Sequence, residues 1–226
     1  MKRRFAAVFV AAMAAMSMFS MTGASAGVPA GATVWVAHGI PGVKVDVCVD
    51  GAEVRSNFKY GNAFKLAGVP EGRYNIKVFV ANEDKECRGT LAIQQRVDLT
   101  DGLNATAVAK LIDGTPGLAI FANDLVLASD ASVTVRHAAN APDVDVWVNG
   151  GKAPLVEGLA EGEEAGPVGV GSAVYSYWVS LPGDYAPVIG PGVSMLETGN
   201  AYQVIAVGTE ADNYRFIVIG QPGIMP

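Results

Sequence analysis

Apolar and polar residues alternate with a period of two in short stretches along most of the chain. Valine takes every second position at residues 34–36 and again at residues 45–49, and a loop containing proline and glycine separates the two stretches. This period is typical of β-strands with one buried face, and helical periodicity is nearly absent. Further strands are predicted at residues 74–80, 91–97, 105–111, 118–122, 174–180, 186–189, 201–208 and 214–219.

The chain contains an internal repeat, because residues 34–51 recur without a gap at residues 133–150. The two copies share valine, histidine, aspartate and glycine at equivalent positions, at a constant offset of 99. Many short strands separated by turn signals indicate a β-sandwich, as in immunoglobulin-like domains. The sequence therefore predicts an all-β protein with two tandem immunoglobulin-like β-sandwich domains.

The repeat also predicts the domain boundaries, with the first sandwich at residues 27–125 and the second at residues 131–226. A Pro–Tyr motif begins at Pro70, 19 residues after the repeated segment ends, and a similar motif begins at Pro182, 32 residues after it. If these motifs are equivalent, the second domain carries an acidic, glycine-rich insertion. The prediction is a mobile surface loop that includes residues 157–166.

The N-terminus has the three sections of a secretory signal peptide. Basic residues 2–4 precede an apolar run at residues 5–21 and a small-residue sequence that ends at Ala26. Residues 1–26 are therefore predicted to be a cleaved signal peptide, and the protein is expected outside the cell or in the periplasm or cell envelope. No membrane span is expected in the mature chain.

Charge narrows the set of partners only slightly. The predicted mature chain keeps 13 basic and 22 acidic residues, because the signal peptide contains three of the 16 basic residues and none of the acidic ones. The resulting net charge of −9 argues against nucleic acid and anionic lipid as partners.

The chain has two cysteines, Cys48 and Cys87, and both lie in the first copy. Export to an oxidising compartment favours an intradomain disulfide between them. A redox-active pair is the alternative, but the two cysteines are not spaced as C-x-x-C.

The repeated pattern resembles the bacterial domain-of-unknown-function family numbered 4397. The resemblance is carried by V-x-V-x-H, a loop and V-D-V-x-V-[DN]-G in both copies, with P-x-G-x-Y after the first and P-G-x-Y after the second. The Asn-Ala-Pro-Asp loop that follows Ala139 is close to a loop common in that family, whereas the Gly-Ile-Pro-Gly loop after His38 departs from it. The resemblance implies a secreted or cell-envelope β-sandwich module, often in tandem, with no established activity.

His38 and His137 occupy equivalent positions, each eight residues before an aspartate, Asp46 or Asp145. A His–Asp pair could serve as a general base. Strand parity places each histidine on the valine face and each aspartate on the opposite face, so the two side chains are expected to diverge. The predicted role of each histidine is to hold the following loop by hydrogen bonds, and a catalytic or metal-binding role is the alternative.

Oxygen-bearing side chains of the repeat could also assemble a site for a hard cation such as calcium. The sequence lacks a dense D-x-D-x-D loop, so solvent-facing strand and turn residues are the expected role, and no metal or cofactor is predicted. The residues concerned are Asp46, Asp50, Asp143, Asp145 and Asn149.

Aromatic residues form the remaining candidate site. They could stack on a sugar ring or anchor a protein partner, or they could be buried under loops and between domains. The candidate contact residues are Trp35, Trp147, Tyr175, Tyr177 and Trp178.

These patterns contain no catalytic signature. The predicted function is therefore that of a non-enzymatic secreted or cell-envelope protein with a role in structure, adhesion or recognition of an unknown protein or glycan. The first alternative is a carbohydrate- or small-ligand-binding module that uses the aromatics. An enzyme based on the repeated His–Asp positions is the second.

Overall fold

The computed structural model describes residues 31–81, 87–212 and 214–225. The predicted signal peptide at residues 1–26 lies outside the described residues. Nearly all regular structure in the described chain is β-strand, with a short 3-10 turn at Glu210–Asp212.

The strands fall into two sets of eight. The first domain contains β1 (Ala32–His38), β2 (Lys44–Val49), β3 (Ala52–Lys59), β4 (Ala63–Val69), β5 (Gly72–Val80), β6 (Leu91–Leu99), β7 (Asn104–Ile112) and β8 (Thr115–Ala122). The second domain contains β9 (Ala131–His137), β10 (Val144–Val148), β11 (Val156–Leu159), β12 (Glu164–Val170), β13 (Ala173–Ser180), β14 (Ile189–Leu196), β15 (Asn200–Val207) and β16 (Arg215–Pro222).

Each domain is a sandwich of two four-stranded sheets with the same strand order. The first domain has sheets β4-β1-β7-β8 and β3-β2-β5-β6, and the second has β12-β9-β15-β16 and β11-β10-β13-β14. The pairs β1/β7 and β9/β15 are parallel, and the other neighbouring strands are antiparallel. The prediction of two tandem β-sandwiches is confirmed.

The sheets that contain β1 and β9, here called the inner sheets, pack against each other through an apolar seam. Alternate residues of β1, β7 and β8 point into the first core, and the residues between them point into the seam. The core side is apolar, whereas the seam side combines apolar residues such as Val108 with buried polar residues such as Thr106 and Lys110. The other two sheets, here called the outer sheets, cover the far sides of the two cores. The seam consists mainly of Ala37, Val108, Phe121, Ala138, Ile205, Val207, Ile217 and Ile219.

Two buried cations flank the seam, and each is paired. The Lys110 ammonium group donates to Glu161 at 2.5 Å. The Arg136 guanidinium donates to Glu164 at 2.8 Å and to the side-chain oxygen of Asn123 at 2.8 Å. An unpaired buried charge costs several kcal/mol, so Lys110 and Arg136 need these partners in order to be buried.

The expectation of a mobile acidic loop in the second domain is wrong. Residues 157–166 supply most of β11 and the start of β12, which pair with β10 and β9. The Pro–Tyr motifs are not equivalent, since Tyr175 and not Tyr185 has the register position of Tyr74. The Tyr74 and Tyr175 hydroxyls each donate to the carbonyl oxygen four residues earlier. No insertion of the predicted size therefore separates the two copies.

The predicted strand at residues 186–189 is also wrong. These residues belong almost entirely to the loop after β13, and the strand begins at Ile189 and continues to Leu196. A proline in the predicted stretch lacks the N–H group for a ladder, whereas the Gly190-Pro191-Gly192 sequence that suggests a turn lies inside the strand. The strands β3, β4, β11 and β12 were not predicted, because they lie at sheet edges and have weak alternation.

An apolar cavity of about 70 Å³ lies between the sheets of the first domain. Ala105 and Ala107 line it, while the register positions of these two residues in the second domain hold Tyr202 and Val204. The second core is therefore filled by larger side chains from the equivalent strand, and the first core is not.

The Cys48 and Cys87 sulfurs form a disulfide, as predicted. Cys48 is fully buried in β2, and Cys87 lies between β5 and β6 in the chain. The bridge closes a loop with a sequence separation of 39 residues within the first domain.

Filling the cavity should stabilise the protein. Ala107→Val, which copies the residue of the second domain, is expected to raise the free energy of unfolding by about 1 kcal/mol, because cavity filling buries apolar atoms without a polar cost. The reciprocal change Val204→Ala should lower it by about 2 kcal/mol. Urea denaturation measures both, and a destabilised Ala107→Val protein would show that the cavity cannot accept a branched side chain.

Removing the disulfide should destabilise the protein by about 3 to 4 kcal/mol, since the crosslink restricts the unfolded chain. The test is urea denaturation of the double variant Cys48→Ala/Cys87→Ala beside the wild type. Mass spectrometry after alkylation without reductant gives an independent check, and the finding of two labelled thiols would contradict the bridge.

Candidate functional site

The repeated histidines hold the loops that follow their strands. The Nε2 atoms of His38 and His137 lie 3.1 Å and 2.9 Å from the carbonyl oxygens of Val43 and Pro142. The Ile40 amide donates to Nδ1 of His38 at 3.3 Å, which fixes a neutral Nε2–H tautomer for this ring. Both imidazoles are almost completely buried.

Burial lowers the pKa of His38 and His137 below the ordinary value of 6.5, and the hydrogen bonds to Val43 and Pro142 oppose that shift. For His137 the nearby Glu161 carboxylate also opposes the shift in pKa. The folded state therefore favours the neutral rings.

The repeated aspartates point to the opposite side of their strands and accept hydrogen bonds from backbone amides of the neighbouring edge strand and, for Asp145, of the loop after β13. Asp46 accepts from the Asn57 amide at 2.8 Å. Asp145 accepts from Gly158 at 2.8 Å and from Gly183 at 2.9 Å. Asn57 and Gly158 both have positive φ, so each aspartate fixes a left-handed residue in the neighbouring edge strand. The geometry gives histidine and aspartate separate structural partners.

The other oxygen-bearing candidates act within turns. Asp50 accepts from the Asn75 amide at 2.8 Å, and Asn149 accepts from the Ser176 amide at 2.9 Å. Asp143 is exposed in the loop before β10. Among the described residues, no three histidine, cysteine or acidic side chains are grouped closely enough to hold a metal ion.

The five predicted aromatic contacts do not form one surface. Trp35 packs at the seam between the inner sheets, with the Lys65 ammonium group 5.9 Å from its ring centroid. Tyr175 packs against the second core. Tyr177 lies inside that core, where its hydroxyl pairs with Ser194 at 2.9 Å.

Trp147 and Trp178 lie side by side on the solvent side of the second outer sheet. They are cross-strand partners, and their rings stack with centroids 5.9 Å apart and planes 4° apart. Tyr185 packs edge-on against both, at 4.8 Å and 5.2 Å, and its own side chain remains 54% exposed. Because Tyr185 covers them, both indoles are buried.

A pocket of about 510 Å³ opens beside this aromatic cluster. The Asp184 carboxylate accepts from the amides of Tyr185 and Ala186, which fixes the loop that forms one side of the pocket. Sequence reasoning missed Glu157, Asp184 and Tyr185, although the Pro-Gly-Asp turn before Tyr185 was a usable signal. The residues that line the pocket are Asp145, Trp147, Pro154, Glu157, Gly158, Pro182, Gly183, Asp184 and Tyr185.

The same outer sheet exposes an apolar patch, defined by Val174, Val193 and Met195. More than half of each side chain is accessible to solvent, and Val174 and Met195 are cross-strand partners. At the same register positions, the first domain has Arg73 and Asp98, which form an exposed ion pair at 2.7 Å. Equivalent faces of the two domains therefore differ in chemistry.

The chain matches the sequence model of a known protein family. The sequence model of a family described as "Domain of unknown function (DUF4397)" matches residues 32–147. The match begins at the first residue of β1, covers the whole first sandwich and ends within β10. No curated protein matches the chain. In the described part of the chain, no helix has the length and apolar character needed to cross a membrane.

Acid should weaken the protein through the repeated histidines. Since the pKa of each ring is lower in the folded state, the stability from the neutral rings is fully present above the unfolded-state pKa of about 6.5 and is lost as the pH falls below it. The loss approaches about 1.4 kcal/mol per pH unit for each ring in that window.

Urea denaturation between pH 7.5 and pH 5 measures this loss. The double variant His38→Gln/His137→Gln serves as the control, because its acidic residues titrate as in the wild type. It should be less stable at pH 7.5 and lose less stability on acidification. Equal losses in the two proteins would show that the histidines do not cause the acid sensitivity.

Proposed function

The chain belongs to the DUF4397 family, whose description assigns no activity, and from the geometry we propose that the protein is a secreted, non-enzymatic recognition module. Its role is to present the second outer sheet to a protein partner at the cell surface or in the cell envelope. The carrying observation is the exposed apolar patch formed by Val174, Val193 and Met195.

The repeat supplies an internal comparison that supports this role. Both outer sheets have the same strand order. Each covers a core on one side only, so each needs only one apolar face. The solvent face of the first outer sheet carries the Arg73–Asp98 ion pair, whereas the second carries valine and methionine there. Contiguous exposed apolar surface is characteristic of interaction sites.

The packing of the inner sheets supports presentation of this face. Because the seam joins the two inner sheets, the outer sheets form the two ends of a four-layer stack. The patch thus lies on an end of the stack, where a flat partner surface can approach.

The disulfide supports secretion, since disulfides persist mainly in oxidising compartments. The predicted signal peptide points the same way. The use of both histidines and both aspartates in hydrogen bonds to the backbone supports a non-enzymatic role.

A small-ligand-binding role is the second candidate. The pocket beside Trp147 and Tyr185 favours it, because an aromatic wall with a few polar groups is typical of small-molecule sites.

Partner binding should depend on the apolar patch. Val193→Asp places a charge within the patch and should weaken binding at least tenfold, because the carboxylate would be desolvated on docking. The matched control is Arg96→Asp, which makes the same residue at the equivalent register position of the first domain.

The measurement is saturable capture of components from the envelope and medium fractions of the source organism, with residues 27–226 as bait. The wild type and Arg96→Asp should capture the same partner, and Val193→Asp should not. Equal capture by all three proteins would rule out the patch as the binding face.

A further inference from the structure

The pocket beside the aromatic cluster has an unbalanced charge. Three of its lining residues, Asp145, Glu157 and Asp184, are acidic, and none is basic. The described chain provides no ion-pair partner for any of the three, since its salt bridges involve other carboxylates. Backbone amides stabilise the Asp145 and Asp184 carboxylates, but no cationic side chain of the described chain pairs with any of the three acids, so the pocket has a net negative charge that favours a cationic ligand.

The aromatic walls favour one kind of cation. The face of an aromatic ring carries negative charge density and attracts weakly hydrated organic cations. Tyr185 offers an exposed ring, which is immobilised by its edge-on packing against Trp147 and Trp178. A ring that is already fixed loses little entropy when a ligand binds.

We propose that this pocket binds an organic cation with an alkylated ammonium group. Such a group combines a diffuse positive charge for the carboxylates with methyl groups for the rings. The volume of about 510 Å³ is within the roughly 300 to 1,000 Å³ of small-molecule sites. A bare metal ion would find no group of three ligating side chains here among the described residues.

The first domain shows that the site is particular to the second copy. The register position of Trp147 is occupied by Cys48, which is in the disulfide, and that of Trp178 by Lys77. The equivalent surface thus lacks the indoles and carries a positive charge that would repel a cation.

This inference deepens the proposed function, because it names the ligand chemistry at the same outer sheet. The cation can be a free small molecule or a methylated lysine side chain of the partner. Both sources present the same trimethylammonium group, so the pocket chemistry is shared and the experiment separates them.

The test is a titration of the mature protein, followed by tryptophan fluorescence and calorimetry. Choline is compared with 3,3-dimethylbutan-1-ol, which has the same shape without the charge, and with a short peptide that contains trimethyllysine. Choline or the peptide should bind at least tenfold more tightly than the neutral alcohol. The tighter of these two ligands identifies the source.

Variants locate the binding. Glu157→Gln removes an exposed, unpaired carboxylate and should weaken cation binding several-fold, whereas Glu163→Gln, an exposed acid outside the pocket, should not. Tyr185→Phe keeps the ring and should retain binding, whereas Tyr185→Leu should lose at least tenfold. Thermal denaturation of each variant confirms the fold.

Three outcomes would overturn the inference. They are equal binding of choline and the alcohol, no effect of Glu157→Gln, and no saturable binding of either cation. If any of these is found while Val193→Asp still abolishes partner capture, the cation site is ruled out and the recognition role is retained. If choline binds but capture of every partner is unchanged by Val193→Asp, the recognition role is ruled out and the cation site is retained.

Discussion

The apolar seam between the two inner sheets is the contact on which the rest of the structure depends. Each inner sheet is buried on both faces, so its strands are apolar toward the core and combine apolar residues with hydrogen-bonded polar residues toward the seam. The seam leaves the outer sheets as the two faces free to meet other molecules. It also encloses Lys110 and Arg136, whose charges must then be matched.

This requirement explains the acidic segment of the second domain. Glu161 lies in the turn between β11 and β12 and Glu164 begins β12, where they meet Lys110 of the first domain and Arg136 of β9. The acidic residues of this segment suggest a solvated loop in the sequence, but two of them, Glu161 and Glu164, neutralise buried cations. The segment is ordered for the same reason, because an unpaired buried charge is costly.

The copies diverge at core positions, such as Ala105 and Tyr202, and also on the solvent face of the outer sheet. The histidines that hold the loops and the aspartates that bind the edge strands are alike in both copies. On the solvent face of the outer sheet, the Arg73–Asp98 ion pair of the first domain is replaced by Val174 and Met195 in the second. The second outer sheet therefore exposes apolar side chains where the first exposes a charged pair.

The sequence by itself determined the all-β class, the tandem repeat, the disulfide and the opposite orientations of His38 and Asp46, because each follows from residue type or from the period of two. It did not determine the edge strands, since β11 and β12 alternate weakly and are stabilised by pairing with β10 and β9. It misaligned Tyr185 with Tyr74, because a local motif carries no information on register. Only the tertiary structure brought Glu157 to the side of Trp147 and Tyr185, since that approach depends on strand pairing between residues distant in the chain.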